Sequence, residues 1–91
     1  MQLKVPAQAG TLESSDALVL VEPVAAGSGR QVELESNVMR QYGRHIREQV
    51  TATLDRLCVE DVRILIKDKG ALDATVQARV ETAIRRSRQA T

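Results

Sequence analysis

Part-way along this chain the apolar residues change their spacing, and that change decides the class of fold. Alternation with period two marks a half-buried strand, while steps of three or four mark a helix face. Up to Glu35 the apolar residues come in short runs or alternate with polar ones. From Val38 the steps are helical: Val38, Tyr42, Ile46, Val50, Leu54 and Cys58 follow one another, with Leu57 beside them. Val62-Arg63-Ile64-Leu65-Ile66-Lys67 then alternates again. Helical spacing returns from about Ala71 to Arg88, with Leu72, Val76, Val80, Ala83 and Ile84 on the inner stripe.

Three strands precede the first helix. Residues 3–13 carry Pro6 and Gly10, which suit an interrupted or edge strand. Residues 17–21 are apolar at every position, the pattern of a strand covered on both faces, and Pro23 ends them. Gln31-Val32-Glu33-Leu34-Glu35 alternates and should turn Val32 and Leu34 inward. Between these last two strands, Gly27-Ser28-Gly29 reads as a mobile connector. It lacks the lysine and the following Ser or Thr of a phosphate-binding loop. Ser36 or Asn37 offers an N-cap for the first helix. Gly43 weakens that helix by about 1 kcal/mol relative to alanine. Asp68-Lys69-Gly70 is a turn in which Gly70 can take a positive φ.

The order is therefore β-β-β-α-β-α. This is an α+β fold: a small, mostly antiparallel sheet with two helices packed on one face. A chain of 91 residues makes one domain, 1–91, with a hairpin over residues 3–24 and the remaining sheet and helices over 31–88. So short a chain buries roughly two-thirds of its unfolded surface, which leaves little room for a deep catalytic cleft.

Composition narrows the function. Net charge is +1, too small to recruit nucleic acid or an anionic membrane. Tyr42 is the single aromatic residue, so the stacking platforms of single-strand binders are missing. Cys58 is the single cysteine, which excludes an internal disulfide and suits a reducing compartment. The N-terminal residues have no signal-peptide pattern, and no apolar run approaches a membrane span. A cytoplasmic location is expected.

The candidate chemistry is sparse. His45, the lone histidine, reads as a helix-rim residue, since no metal-ligand spacing surrounds it. Cys58 continues the apolar stripe and reads as a buried, inert thiol. Arg85, Arg86 and Arg88 crowd the last turns of the second helix, where cations oppose the helix dipole. More informative is Gly10-Thr11-Leu12-Glu13-Ser14-Ser15-Asp16, which joins the first two strands. Short oxygen-bearing side chains favour a turn there, with Ser14 and Ser15 at the tip of a hairpin. Glu13 and Asp16 flank the serines and read as solvated hairpin charges, since nothing supplies a pocket for acid-base work. No Gly-X-Ser-X-Gly surrounds Ser14, so a hydrolase nucleophile is disfavoured. On these grounds alone the serines are turn residues.

Over Pro6-Ala7-Gln8-Ala9-Gly10-Thr11-Leu12-Glu13-Ser14-Ser15-Asp16 the chain resembles the acyl carrier subunit (γ chain) of citrate lyase. That family reads Ala-Gly-Thr-Leu-Glu-Ser and then usually Gly-Asp. Asp68-Lys69-Gly70-Ala71-Leu72-Asp73 is similar to a second family motif, and Gln41-Tyr42-Gly43 to a third. The resemblance implies a phosphoribosyl-dephospho-CoA prosthetic group joined to Ser14 by a phosphodiester. Its thiol would carry acetyl and citryl groups as thioesters between the α and β subunits of citrate lyase, after attachment by a dedicated transferase. The chain itself would catalyse nothing. Ser15 stands where the family usually has glycine, and the match places the modified hydroxyl on Ser14. Glu13, Asp16, Asp68, Lys69 and Gly70 are candidates for recognition by the transferase or a partner. Two other readings are a malonate decarboxylase-type carrier and an interaction module docking through its arginine-rich helix.

Overall fold

The computed structural model describes residues 2–36 and 40–89, with residues 40 and 41 as backbone only. Asn37 and Val38, expected as N-cap and as the start of the helical stripe, lie outside the described residues. The elements run β1 (Ala7–Gly10), β2 (Ala17–Glu22), β3 (Arg30–Ser36), α1 (Arg40–Arg56), β4 (Val62–Asp68) and α2 (Asp73–Arg88). This is the expected order.

The four strands lie side by side as β1-β2-β4-β3. β1 pairs antiparallel with β2, and β2 with β4, but β3 and β4 run parallel. The sheet is thus mixed. Parallel neighbours need a crossover of a dozen or more residues, and α1 supplies it. The topology sets up the site. The carboxyl ends of β3 and β4, the turn between β1 and β2, and the start of α2 all lie at one end of the sheet.

Register decides which side chains are buried. Ala7 and Ala9 pair with Val21 and Val19, which pair in turn with Ile64 and Ile66, opposite Val32 and Leu34. All point to the face covered by the helices. α2 lies over β1 and β2, and α1 packs beside α2 and over β3. Ile46, Val50 and Leu54 of α1 and Val76, Val80, Ala83 and Ile84 of α2 complete the core. The other face of the sheet stays open. Leu18, Leu20 and Leu65 are half-buried there, among Glu22, Glu33 and Arg63. β2, expected to be covered on both faces, is therefore covered on one by this chain.

The arginines at the end of α2 work inside the fold. Arg86 donates to the Gln8 carbonyl at 2.8 Å, and Arg88 donates to the Leu57 carbonyl. Ser87 holds the N-terminal residues, its carbonyl accepting from the amides of Lys4 and Val5. Nor is the Gly27-Ser28-Gly29 connector left loose. The Gly29 amide donates to the Asp61 carboxylate at 2.8 Å, and the Gly29 carbonyl accepts from Val62.

Two apolar positions fall differently from the helical spacing. Leu72 is 75% exposed because α2 begins only at Asp73, leaving Leu72 as its N-cap. Cys58, expected to be buried, is exposed. α1 ends at Arg56, and Cys58 takes a left-handed φ of 58°. The Val59 amide donates to the Leu54 carbonyl and the Cys58 amide to the Asp55 carbonyl. These are the two bonds of a Schellman cap, with Cys58 at the position that favours glycine. The chain reverses there, so Val59 enters the core against Leu54, both fully buried. Tyr42, on the same expected stripe, is also exposed.

A non-glycine residue in this conformation costs on the order of 1–2 kcal/mol. Cys58→Gly is expected to stabilise the fold by about 1 kcal/mol, raising the melting temperature by about 4–8 °C. Calorimetry of the two proteins checks this.

Candidate functional site

The polar stretch between β1 and β2 forms the expected hairpin turn, and several of its residues hold the turn in shape. Gly10 has a φ of +96°, and a Cβ there would stand 1.8 Å from the Ala17 carbonyl oxygen. Only glycine allows the strands to approach so closely. The same Cβ would lie 3.1 Å from the Cδ of Arg79, so Gly10 also clears the path of that side chain. The Thr11 hydroxyl accepts from the Glu13 amide at 3.2 Å and donates to Asp16 Oδ2 at 2.7 Å. The Asp16 amide donates to the Glu13 carbonyl at 3.1 Å, which closes a four-residue turn over Glu13, Ser14, Ser15 and Asp16.

Ser15 occupies the third position of that turn with φ +68°. A positive φ at this position normally calls for glycine. Ser15 thus adopts the conformation a glycine would take, and the turn closes with it in place. Its amide donates to the Lys69 carbonyl at 2.8 Å, and the Lys69 amide donates to the Asp16 carbonyl at 2.9 Å. The tip is thereby hydrogen-bonded onto the turn after β4.

Asp16 is the anchor. Arg79, from the middle of α2, donates to both its carboxylate oxygens, Nε to Oδ1 and an Nη to Oδ2, each at 3.0 Å. Thr11 and the Ala17 amide, at 2.7 Å each, complete four donors. Such a fork is the strongest common geometry for a carboxylate. The Arg79 fork, helped by Thr11 and the Ala17 amide, holds the Asp16 carboxyl well below the usual carboxylate range. Asp16 is thus no solvated charge. Glu13 is exposed.

Ser14 stands alone at the tip. It is exposed, and no residue among those described bonds to its hydroxyl. The other residues singled out in the sequence gather around it. Lys69 and Gly70 are exposed in the adjoining turn. Asp68 is 2% exposed, and its carboxylate accepts from the Ser36 hydroxyl at 2.9 Å and the Ala71 amide at 3.0 Å. That ties the ends of β3 and β4 to the start of α2. The carboxylates of Asp16 and Asp68 are thus committed within the chain, whereas the side chains of Glu13 and Lys69 face outward. Beside the tip lies a groove of about 520 Å³ lined by Leu12, Leu34, Glu35, Ser36, Lys67, Asp68 and Lys69.

Neither His45 nor Cys58 joins this cluster. His45 Nε2 lies 2.8 Å from Asp73 Oδ2 and ties α1 to the first residue of α2. Cys58 stands past the other end of α1. Among the described residues, no group of three or more His, Cys, Asp and Glu could hold a metal ion. Arg79 was missed in the sequence. It is one arginine among several, 63 residues from Asp16, and nothing in its neighbours marks it.

Residues 4–87 match the family model described as malonate decarboxylase delta subunit (MdcD), an acyl carrier family. A citrate lyase acyl carrier protein of Streptococcus equi subsp. zooepidemicus is 48% identical over 87 residues, 96% of this chain and 84% of its own length. One of Treponema denticola is 42% identical over 89 residues, 98% of this chain and 99% of its own length. The chain belongs to the citrate lyase acyl carrier protein family. A chain of a Pseudomonas malonate decarboxylase hetero-tetramer, solved in complex with malonate, has the same fold. Its TM-score is 0.64 and its identity 23%, over 94% of this chain and 91% of that one.

Two outcomes follow for a family member built in this way. Ser15→Gly should stabilise the fold by up to about 1 kcal/mol in urea denaturation, because glycine takes the positive φ freely. Arg79→Ala should lower the stability at neutral pH. A depressed carboxyl contributes stability that is complete above its unfolded pKa of about 4 and is lost as pH falls further. The gap between Arg79→Ala and the parent should therefore begin to close below about pH 4 in melting curves recorded across pH.

Proposed function

We propose that this chain is the acyl carrier subunit of a citrate lyase, with Ser14 as the attachment point of its prosthetic group. The observation that carries this reading is the exposed hydroxyl of Ser14, which no described residue engages, on a turn that Thr11, Ser15 and Asp16 bond into the fold. An attachment residue must be open to a transferase before modification and must keep its arm clear of the scaffold afterwards. Ser14 meets both needs. The residues present also fit a group joined by a phosphodiester: no wall surrounds the tip, and Lys69 stands beside it. When bound, phosphoribosyl-dephospho-CoA would supply a terminal thiol for carrying acetyl and citryl groups as thioesters.

The residues of this chain bind and orient. Arg79, Asp16 and Thr11 fix the direction of the tip. Gly10 lets the hairpin close, and Lys69 and Ser15 seat it against the turn after β4. Tethering places the acyl group at millimolar effective concentration before each partner site without a tight interface. The partners expected on this reading are the α and β subunits of citrate lyase and the attaching transferase. Glu13 and Lys69, outward-facing beside Ser14, are the side chains of the tip available for recognition, and Gly70 adjoins them. The compartment expected is the cytoplasm.

A malonate decarboxylase-type carrier is the second reading, favoured by the description of the matching family model. The names of the curated relatives favour citrate lyase. An interaction module docking through the arginine-rich helix has less support, because Arg86 and Arg88 are bonded to carbonyls of β1 and of the segment after α1.

The test is Ser14→Ala in the host that makes the whole complex. The variant should still assemble with its partner subunits, while citrate cleavage by the purified complex falls at least about a thousandfold. Undiminished cleavage would refute the assignment. Cleavage of malonyl rather than citryl substrates by the parent complex would select the second reading.

A further inference from the structure

Large apolar side chains left in water gather mostly at one end of this fold. Among the described residues four are exposed: Val5, Leu12, Tyr42 and Leu72. Val5 belongs to the far end, where its amide donates to the Ser87 carbonyl near the close of α2. The other three lie at the end that bears Ser14. Leu12 precedes Ser14 by two residues, so their Cα atoms are at most about 7 Å apart. Leu72 follows Lys69 by three residues, and the Lys69 carbonyl accepts from the Ser15 amide. Tyr42 packs its ring against His45 with the centroids 5.8 Å apart, and His45 is bonded to Asp73, the neighbour of Leu72.

Single exposed apolar residues are ordinary, whereas a group of them marks an interaction surface. The fold gains little from these leucines. Leu72 is 75% exposed and stands at the N-cap of α2 with no side-chain hydrogen bond to the helix. Ser, Thr, Asp or Asn would cap that helix, so leucine here neither caps nor joins the core. Leu12 is 53% exposed in a turn held by Thr11, Asp16 and backbone bonds. The occupant follows from what has to touch Ser14. An enzyme that joins a group to this hydroxyl must bring its own active site onto the tip and so covers the surface around it. Subunits that use the acyl group meet the far end of a long arm instead. Glu13 and Lys69, exposed beside the serine, are opposite in sign and select neither an acidic nor a basic partner.

We propose that Leu12, Tyr42 and Leu72 form the docking surface for the transferase that attaches the prosthetic group to Ser14. The matching surface on that enzyme is an apolar collar around its active-site mouth. This inference rests on the carrier reading above.

The test follows attachment by intact mass, using the unmodified full-length chain and the purified transferase of the same host. Leu12→Ser combined with Leu72→Ser should raise the KM for the chain about tenfold or more with little change in kcat. Adding Tyr42→Gln should raise it further. Leu72→Ser alone should raise the melting temperature by supplying the missing cap, which separates docking from a structural role. A melting temperature that falls instead would overturn the place of Leu72 in the surface. Unchanged KM in the triple variant would overturn the docking surface and leave the carrier reading standing. Unchanged attachment with loss of citrate cleavage per loaded chain would give the surface to the acyl-using subunits and overturn the proposal. A parent chain that forms dimers in sedimentation, dispersed by the same substitutions, would give it to a second copy with the same consequence. A parent chain that gains no mass on Ser14 would overturn both readings.

Discussion

The fork between Arg79 and Asp16 is the interaction on which the site depends. It joins the middle of the last helix to the end of the first hairpin turn, two parts of the chain 63 residues apart. A tight turn projecting from an edge strand would otherwise move freely, because little apolar surface holds it. Here the carboxylate takes four donors, and the turn backbone is bonded to Lys69 on its other side. The result is a rigid base with an open tip. Gly10 belongs to the same device, since any side chain there would strike the Ala17 carbonyl and crowd the Arg79 stem.

That arrangement suits the acyl carrier role of the family. Catalysis needs a pocket, a tuned acid or base and the exclusion of water. A carrier needs only a hydroxyl at a defined place and a scaffold that does not bend. The mixed sheet supplies the scaffold. Because β3 and β4 are parallel, their carboxyl ends and the β1–β2 turn lie together, and the Asp68 network links them. The turn around Asp68 is therefore a foundation for the tip, with its carboxylate turned inward.

Most of the fold could be read from apolar spacing. The order of the six elements, the inward Val32 and Leu34, and the α2 stripe from Val76 to Ile84 all follow from period alone. The failures lie where a chain ends or reverses. Cys58 continued the four-residue spacing but sits in a left-handed cap, so the core position passed to Val59. Leu72 matched the helical step but precedes the helix. Residues 17–21 looked buried on both sides because leucines occupy the open face as well. The parallel pairing of β3 and β4 has no local signal, since it depends on where α1 returns the chain. At the site, Ser14 and the turn were visible as a run of small polar residues. The ion pair beneath them was not. A carboxylate and an arginine so far apart carry no mark of their contact, and Asp16 read alone looked solvated.

The central claim is that one hydroxyl, held out by this turn, bears the group that the family carries. Tandem mass spectrometry of the chain isolated from its own host tests it most directly, by fragmenting the peptide that spans Leu12 to Asp16. The account predicts that the added mass stays with the fragment containing Ser14 and that Ser15 is unmodified. Added mass on Ser15, or on any residue outside the turn, would contradict it.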